Sequence, residues 1–129
     1  REWTDPGETS RGPWTLYYSA LPSTDLSPEI AAGYGIAQRA RLAIVSVSIV
    51  RGGDPKAGAD ATVEIAARDL LGRSRAVRTR RIARDGAVSW LGEVEAGDRE
   101  MLVLAVRASL PGEREALSVE FRREFHAGS

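Results

Sequence analysis

The chain has 129 residues, 43% of them hydrophobic and 28% charged, enough for one folded core that needs neither disulfide nor metal to stand. Its 18 basic and 18 acidic residues cancel, so it lacks the long-range field that draws a protein onto nucleic acid or anionic lipid, which argues against a dedicated polyanion binder. The absence of cysteine removes disulfides, thiol nucleophiles, iron–sulfur clusters and thiolate zinc sites together.

Residues 1–13 mix Pro6, Gly7, Gly12 and Pro13 with charges and show no period, so they are expected to form a lead-in segment, disordered in part. The domain proper is expected over 14–129. Trp14 to Leu21 is aromatic and aliphatic and stops at Pro22, which suits a first strand. Ser27-Pro28-Glu29 then opens a helix of about two turns. Serine caps the free amides, and proline fits the first turn because its missing N–H costs nothing there. Ile30, Ala31 and Tyr34 fall at helical spacing, and Gly35 is a left-handed stop.

From Arg41 onward strand follows strand. Leu42 to Arg51 is apolar on both parities apart from Ser46 and Ser48, so it reads as a central strand that ends at Gly52-Gly53-Asp54-Pro55. It is far shorter than the roughly twenty apolar residues of a membrane helix. Thr62 to Arg68 alternates, Gly72 breaks the chain, and Ala76 to Arg84 follows. Asp85-Gly86 is a hairpin signal because both residues tolerate positive φ, and Val88 to Val94 returns from it. Gly97-Asp98 turns the chain into Met101 to Ala108, which is apolar enough to sit deep in a sheet. Leu110-Pro111-Gly112-Glu113 has the order of a type II turn. The last strand points Leu117, Val119, Phe121 and Phe125 inward, and Ser118, Glu120, Arg122 and Glu124 outward.

About seven strands at short spacing, with one short helix after the first, predict a mostly β protein: an antiparallel β-sandwich, immunoglobulin-like in the broad sense. A closed barrel is the alternative, and the half-exposed last strands favour the sandwich.

Tyr17-Tyr18-Ser19-Ala20, Leu26-Ser27-Pro28-Glu29-Ile30-Ala31, Tyr34-Gly35-Ile36 and the strand Ala43 to Ile49, closed by Leu117-x-x-x-Phe121-x-x-x-Phe125, resemble the signature of a small bacterial family of unknown function, DUF4426. In that family an asparagine commonly follows the signature tyrosine and another sits in the strand; Ser19 and Ser46 stand at those places here. The resemblance implies a sandwich fold, export by a Gram-negative bacterium with a cleaved leader, and a periplasmic or secreted location. It implies no activity and no cofactor.

The chemistry-bearing residues are sparse. The single histidine, His126, stands in a polar tail, a poor place to hold an imidazole for a Ser–His pair. Asp54, Asp60 and Glu64 lack the Asp-x-Asp-x-Asp-Gly loop of a calcium site and read as solvated acids. Gly33-Tyr34-Gly35 closes a helix, whereas a phosphate loop opens one. No metal or cofactor is expected, nor an enzyme, although a small hydrolase using paired carboxylates remains an alternative.

Two surfaces are candidates for binding. The first is the groove between helix and sheet, edged by Tyr18, Tyr34, Arg39 and Arg41, against the simpler reading that Tyr34 anchors the helix. The second is the arginine cluster Arg73, Arg75, Arg78, Arg80, Arg81 and Arg84, which would form an anion-recognising hairpin about Leu71. In that hairpin Glu64 would face Arg78, and charge pairing of this kind is the simpler reading. The function expected is a non-enzymatic exported binding or interaction domain whose partner, a protein or small molecule of the cell envelope, the residues do not identify.

Overall fold

A computed structural model describes residues 7–84 and 87–126. Among them are nine strands: β1 (Gly7–Arg11), β2 (Trp14–Pro22), β3 (Leu42–Arg51), β4 (Thr62–Asp69), β5 (Ser74–Arg75), β6 (Val77–Arg84), β7 (Ala87–Glu95), β8 (Glu100–Ser109) and β9 (Leu117–Phe125). They form two antiparallel sheets, one in the order β1-β2-β3-β7-β6, the other β5-β4-β8-β9. The sandwich expected from the strand pattern is therefore the fold, and all seven expected strands are present. The two additional strands are β1, which lies inside the expected lead-in, and the two-residue β5.

The sheets face each other through alternate side chains, which is how a period of two builds a core. Trp14, Leu16, Val45, Val47, Ile49 and Trp90 of the first sheet meet Val63, Ile65, Leu102, Leu104 and Val106 of the second, all buried. Strand β3 is covered on its other face too, by α1 (Pro28–Tyr34). Ile44 and Leu42 pack there with Ala31, Ile36 and Leu91, and Tyr34 and Ile82 close the cluster. This second, smaller core explains why Leu42–Arg51 is apolar at both parities where it runs beneath the helix, and carries Ser46 and Ser48 where it runs clear of it.

The helix is short, so its ends carry much of its stability. Ser27 Oγ accepts the Ile30 amide at 3.1 Å, and Pro28 occupies the first turn. At the other end Gly35 takes φ 71°, and the Ile36 amide donates to Ala31 O at 2.8 Å while Gly35 donates to Ala32 O at 3.1 Å. These are the two bonds of a Schellman stop, with Ile36 and Ala31 supplying its apolar contact. From there the chain is clipped down by Gln38 Nε2, which donates to Ser23 O and Leu26 O, and by buried Ser23, whose hydroxyl donates to Arg39 O and accepts from Arg39 N.

The arginine-rich stretch departs from the expected hairpin about Leu71. Strand β4 pairs with β5 and β8, whereas β6 pairs with β7 in the other sheet. Glu64 consequently lies opposite Arg107 and Arg78 opposite Glu93, so the Glu64–Arg78 pair does not exist. Alternation alone does not reveal that the chain changes sheet between Arg75 and Val77. The strands of the β6–β7 hairpin pair as far as Arg84↔Ala87; the Asp85-Gly86 turn lies outside the described residues.

Candidate functional site

The structure separates the residues expected to edge one groove. Tyr18 points to the main core, where its ring lies 4.6 Å from that of Phe121 and packs over Gly7, at which a Cβ would collide with the Tyr18 ring. Tyr18 is thus a seam residue joining β1, β2 and β9. Tyr34 lies on the opposite face of the same sheet, packed against the helix cluster. Arg39 is committed to Glu95 at 2.8 Å. Arg80 runs under the helix C-terminus, with Nη2 2.9 Å from Glu93 Oε2 and 3.5 Å from Gly35 O. A cation there offsets the carbonyl end of the helix dipole. Its buried Nε has no hydrogen-bond partner among the described residues. Arg78 is exposed on the same outer face, across from Glu93.

Beyond the helix, that outer face is lined with hydroxyls. Ser19 and Ser46 are direct cross-strand partners, and Tyr17, Ser48 and Ser89 form the next row. Ser48 and Ser89 share a hydrogen bond of 3.2 Å.

Arg41 belongs elsewhere, at the end of the sandwich where β3 begins, β7 ends and β8 begins. Two turns of one form meet there. In Arg39–Leu42 the Leu42 amide donates to Arg39 O at 3.3 Å, and in Gly97–Glu100 the Glu100 amide donates to Gly97 O at 3.2 Å. The third residue of each is an arginine in left-handed backbone, Arg41 at φ 70° and Arg99 at φ 59°; among the described residues no other non-glycine has positive φ. That position of a turn ordinarily goes to glycine or asparagine, because a Cβ there crowds the backbone. The turns are bonded to each other, Ala96 N–H to Arg41 O at 2.8 Å. An open depression between them is lined by three arginines, Arg41, Arg75 and Arg99, and three acids, Glu95, Asp98 and Glu100, with Ala96 and Gly97 between. Arg41 Nη1 reaches over Gly97, within 3.5 Å of where a Cβ would stand.

The floor of this end is a built ion pair. Arg75 grips Glu100 with both guanidinium nitrogens, Nη1 to Oε1 at 2.9 Å and Nη2 to Oε2, and Nη1 also donates to Glu95 O at 2.9 Å. Gly97 N–H donates to Glu100 Oε1 at 2.8 Å. Arg75 and then the Gly97 amide hold the Glu100 carboxyl below the usual carboxylate range. Beside it, Asp69 is 6% exposed and organises the β4–β5 loop. It accepts from the amides of Leu71 and Arg73, each at 2.9 Å, and from Arg73 Nε at 2.7 Å. The Arg73 amide, with the guanidinium and the Leu71 amide behind it, keeps Asp69 low against the opposing effect of burial. The loop so fixed holds Leu70 60% exposed and Leu71 78% exposed. Sequence reasoning singled out Arg41 and Arg75 but assigned them to two other surfaces, and it missed their neighbours here: Arg99, Glu100 and the leucine tip carry no motif, and Asp69 resembles any other surface acid until its partners are seen.

Fold and site define a helix-backed two-sheet sandwich with a charged, arginine-lined loop region at one end. The chain belongs to the DUF4426 family, a domain of unknown function, whose model matches residues 8–127. It is similar to the crystal structure of a DUF4426 family protein, PA0388 of Pseudomonas aeruginosa PAO1, with 24% identity and a TM-score of 0.79 over 96% of this chain and 97% of that one. It is also similar in fold to FetP of uropathogenic Escherichia coli strain F11, recombinantly expressed in the periplasm of E. coli BL21(DE3), at 10% identity and a TM-score of 0.62, covering 97% of each chain. A copper-bound variant of FetP matches at 10% identity and a TM-score of 0.61, over 95% of this chain and 97% of that one. No curated protein matches significantly. Among the described residues of this chain, no three histidine, aspartate or glutamate side chains gather as a metal site would require.

Proposed function

We propose that this chain is a non-catalytic binding or interaction domain exported to the bacterial cell envelope, and that it meets a protein partner through the loop end bearing Leu70 and Leu71. The observation that carries this reading is the Asp69 turn. Two adjacent leucines are the most exposed large hydrophobic residues described, and a carboxylate with three donors braces the turn that carries them. Burying a leucine fully is worth about 1.5–3 kcal/mol, so a rigid pair left in water offers substantial contact energy to an apolar pocket at little ordering cost.

Three further points support it. The family resemblance points to export, and a protein of like fold was produced in the periplasm. Nothing among the described helices is long and apolar enough to cross a membrane. The alternative of a hydrolase using paired acids needs one carboxyl raised toward neutrality so that it can donate a proton. The acids whose affinity for protons is displaced here, Asp69 and Glu100, are displaced downward by arginine and amide donors.

The test compares the native chain with Leu70→Ser/Leu71→Ser, immobilised and exposed to envelope extract. Because both side chains already face water, the variant is expected to fold normally. A partner retained by the native chain and lost by the variant supports the reading. Identical capture by both, or turnover of a substrate panel that survives the substitutions, overturns it.

A further inference from the structure

We infer that the depression between the Arg39–Leu42 and Gly97–Glu100 turns is a binding site for one compact oxyanion, a phosphate or carboxylate group, bracketed by the guanidiniums of Arg41 and Arg99. This inference stands on the arginine turns and is independent of the leucine tip.

The first argument is backbone conformation. Left-handed backbone costs a residue with a Cβ about 1–2 kcal/mol, and both described instances outside glycine fall in this one place and both are arginine. Such outliers concentrate where a side chain must be held at a defined spot. Each turn delivers its arginine to the rim of the same depression, and the Ala96–Arg41 backbone bond fixes one turn against the other.

The second argument is charge accounting around the cleft. Glu95 is held by Arg39 at 2.8 Å, and Glu100 by Arg75 and the Gly97 amide. The acids lining the cleft are thereby engaged, Asp98 included, whereas the Arg41 and Arg99 side chains make no hydrogen bond or ion pair among the described residues. Two planar donor forks lining one open depression have the geometry to take the oxygens of phosphate or carboxylate. The site is also limited. The lining itself balances, Arg41, Arg75 and Arg99 against Glu95, Asp98 and Glu100, and Arg39, paired with Glu95 from outside it, brings this end to a surplus of one positive charge. That suffices for a single anionic group and is too little for a polyanion, in keeping with the zero formal charge of the chain.

The experiment is a titration of the isotopically labelled chain with inorganic phosphate and with citrate, followed by NMR, beside Arg41→Gln, Arg99→Gln and the control Arg122→Gln. Saturable shifts centred on residues 39–42 and 96–100, weakened at least tenfold in either site variant and unchanged in the control, are the expected result. Vesicles of phosphatidylglycerol and of phosphatidylcholine distinguish sources. Retention on the first alone, dependent on Arg41 and Arg99, assigns the oxyanion to a lipid headgroup, and response to the free anions alone assigns a soluble ligand. Shifts that never saturate, or that survive in both site variants, overturn the site. A chain that captures a partner through Leu70 and Leu71 yet ignores every anion loses this inference and keeps the interaction reading.

Discussion

The arginines of residues 73–84 and the arginines of the two turns make an instructive contrast. The first group is dense in sequence and, where its partners are resolved, largely neutralised in space: Arg73 on Asp69, Arg75 on Glu100, Arg80 on Glu93. The second group is Arg41 and Arg99, far apart in the chain, brought to one depression by the pairing of β3 with β7 and the turn from β7 to β8, and without an ion pair of their own among the described residues, although acids line the same depression. Sequence density therefore marks charge pairing between strands, and the available positive charge lies where two isolated arginines converge. An isolated surface pair contributes little, so the distinction rests on which pairs are partly buried and multiply bonded.

The sharpest way to break this contrast is at the floor pair. Glu100→Gln leaves Arg75 half-buried without its anion and is expected to destabilise the fold by about 2 kcal/mol in a denaturant titration. The same pair sets the acid limit. Glu100 and Asp69 bind protons less readily when folded than when unfolded, so their stabilisation is complete above the ordinary carboxylate value near 4 and is lost as pH falls through the lower folded-state values. Thermal melts should be level from neutrality to about pH 5 and fall below about pH 4, and Glu100→Gln should flatten that descent.

Arg80→Met removes the ion pair with Glu93 and the cation beneath the helix terminus, and is expected to cost about 1 kcal/mol, with amide exchange quickening in α1. Arg99→Gly works in the opposite direction. Glycine takes the left-handed position freely, so stability is expected to rise by up to about 1 kcal/mol while anion binding falls. A variant that gains stability and loses the ligand separates the turn arginines from the structural ones. Smallest of all, Leu71→Ser should shift stability by no more than about 0.5 kcal/mol, since the tip touches nothing that the fold needs.

How far the sequence was legible follows from the same physics. Strands with one face in the core alternate, and the helix declared both its ends through Ser27, Pro28 and Gly35. Strand β1 stayed hidden because Gly7–Arg11 is polar throughout and holds its place through pairing and the Tyr18 ring. Sheet membership stayed hidden because the alternation of β4 suits either sheet and β6 has no clean alternation, Val77 facing the main core and Ile82 the helix cluster. At the sandwich end, Gly97 suggested a turn, but the left-handed residue is Arg99, two positions on. Tyr18 and Tyr34, alike in composition, fall on opposite faces of one sheet.

The place of β3 has a consequence for how the chain reaches this state. Its partners are β2 on one side and β7 on the other, and β7 begins only at Ala87. Until most of the polypeptide has emerged, Leu42–Val50 therefore carries two greasy faces and one unclaimed edge, the features that make a segment self-associate. Assembly should accordingly be slow and all-or-none, governed by distant pairings. A holdase that shields this single stretch during synthesis or transport should suppress most of the aggregation.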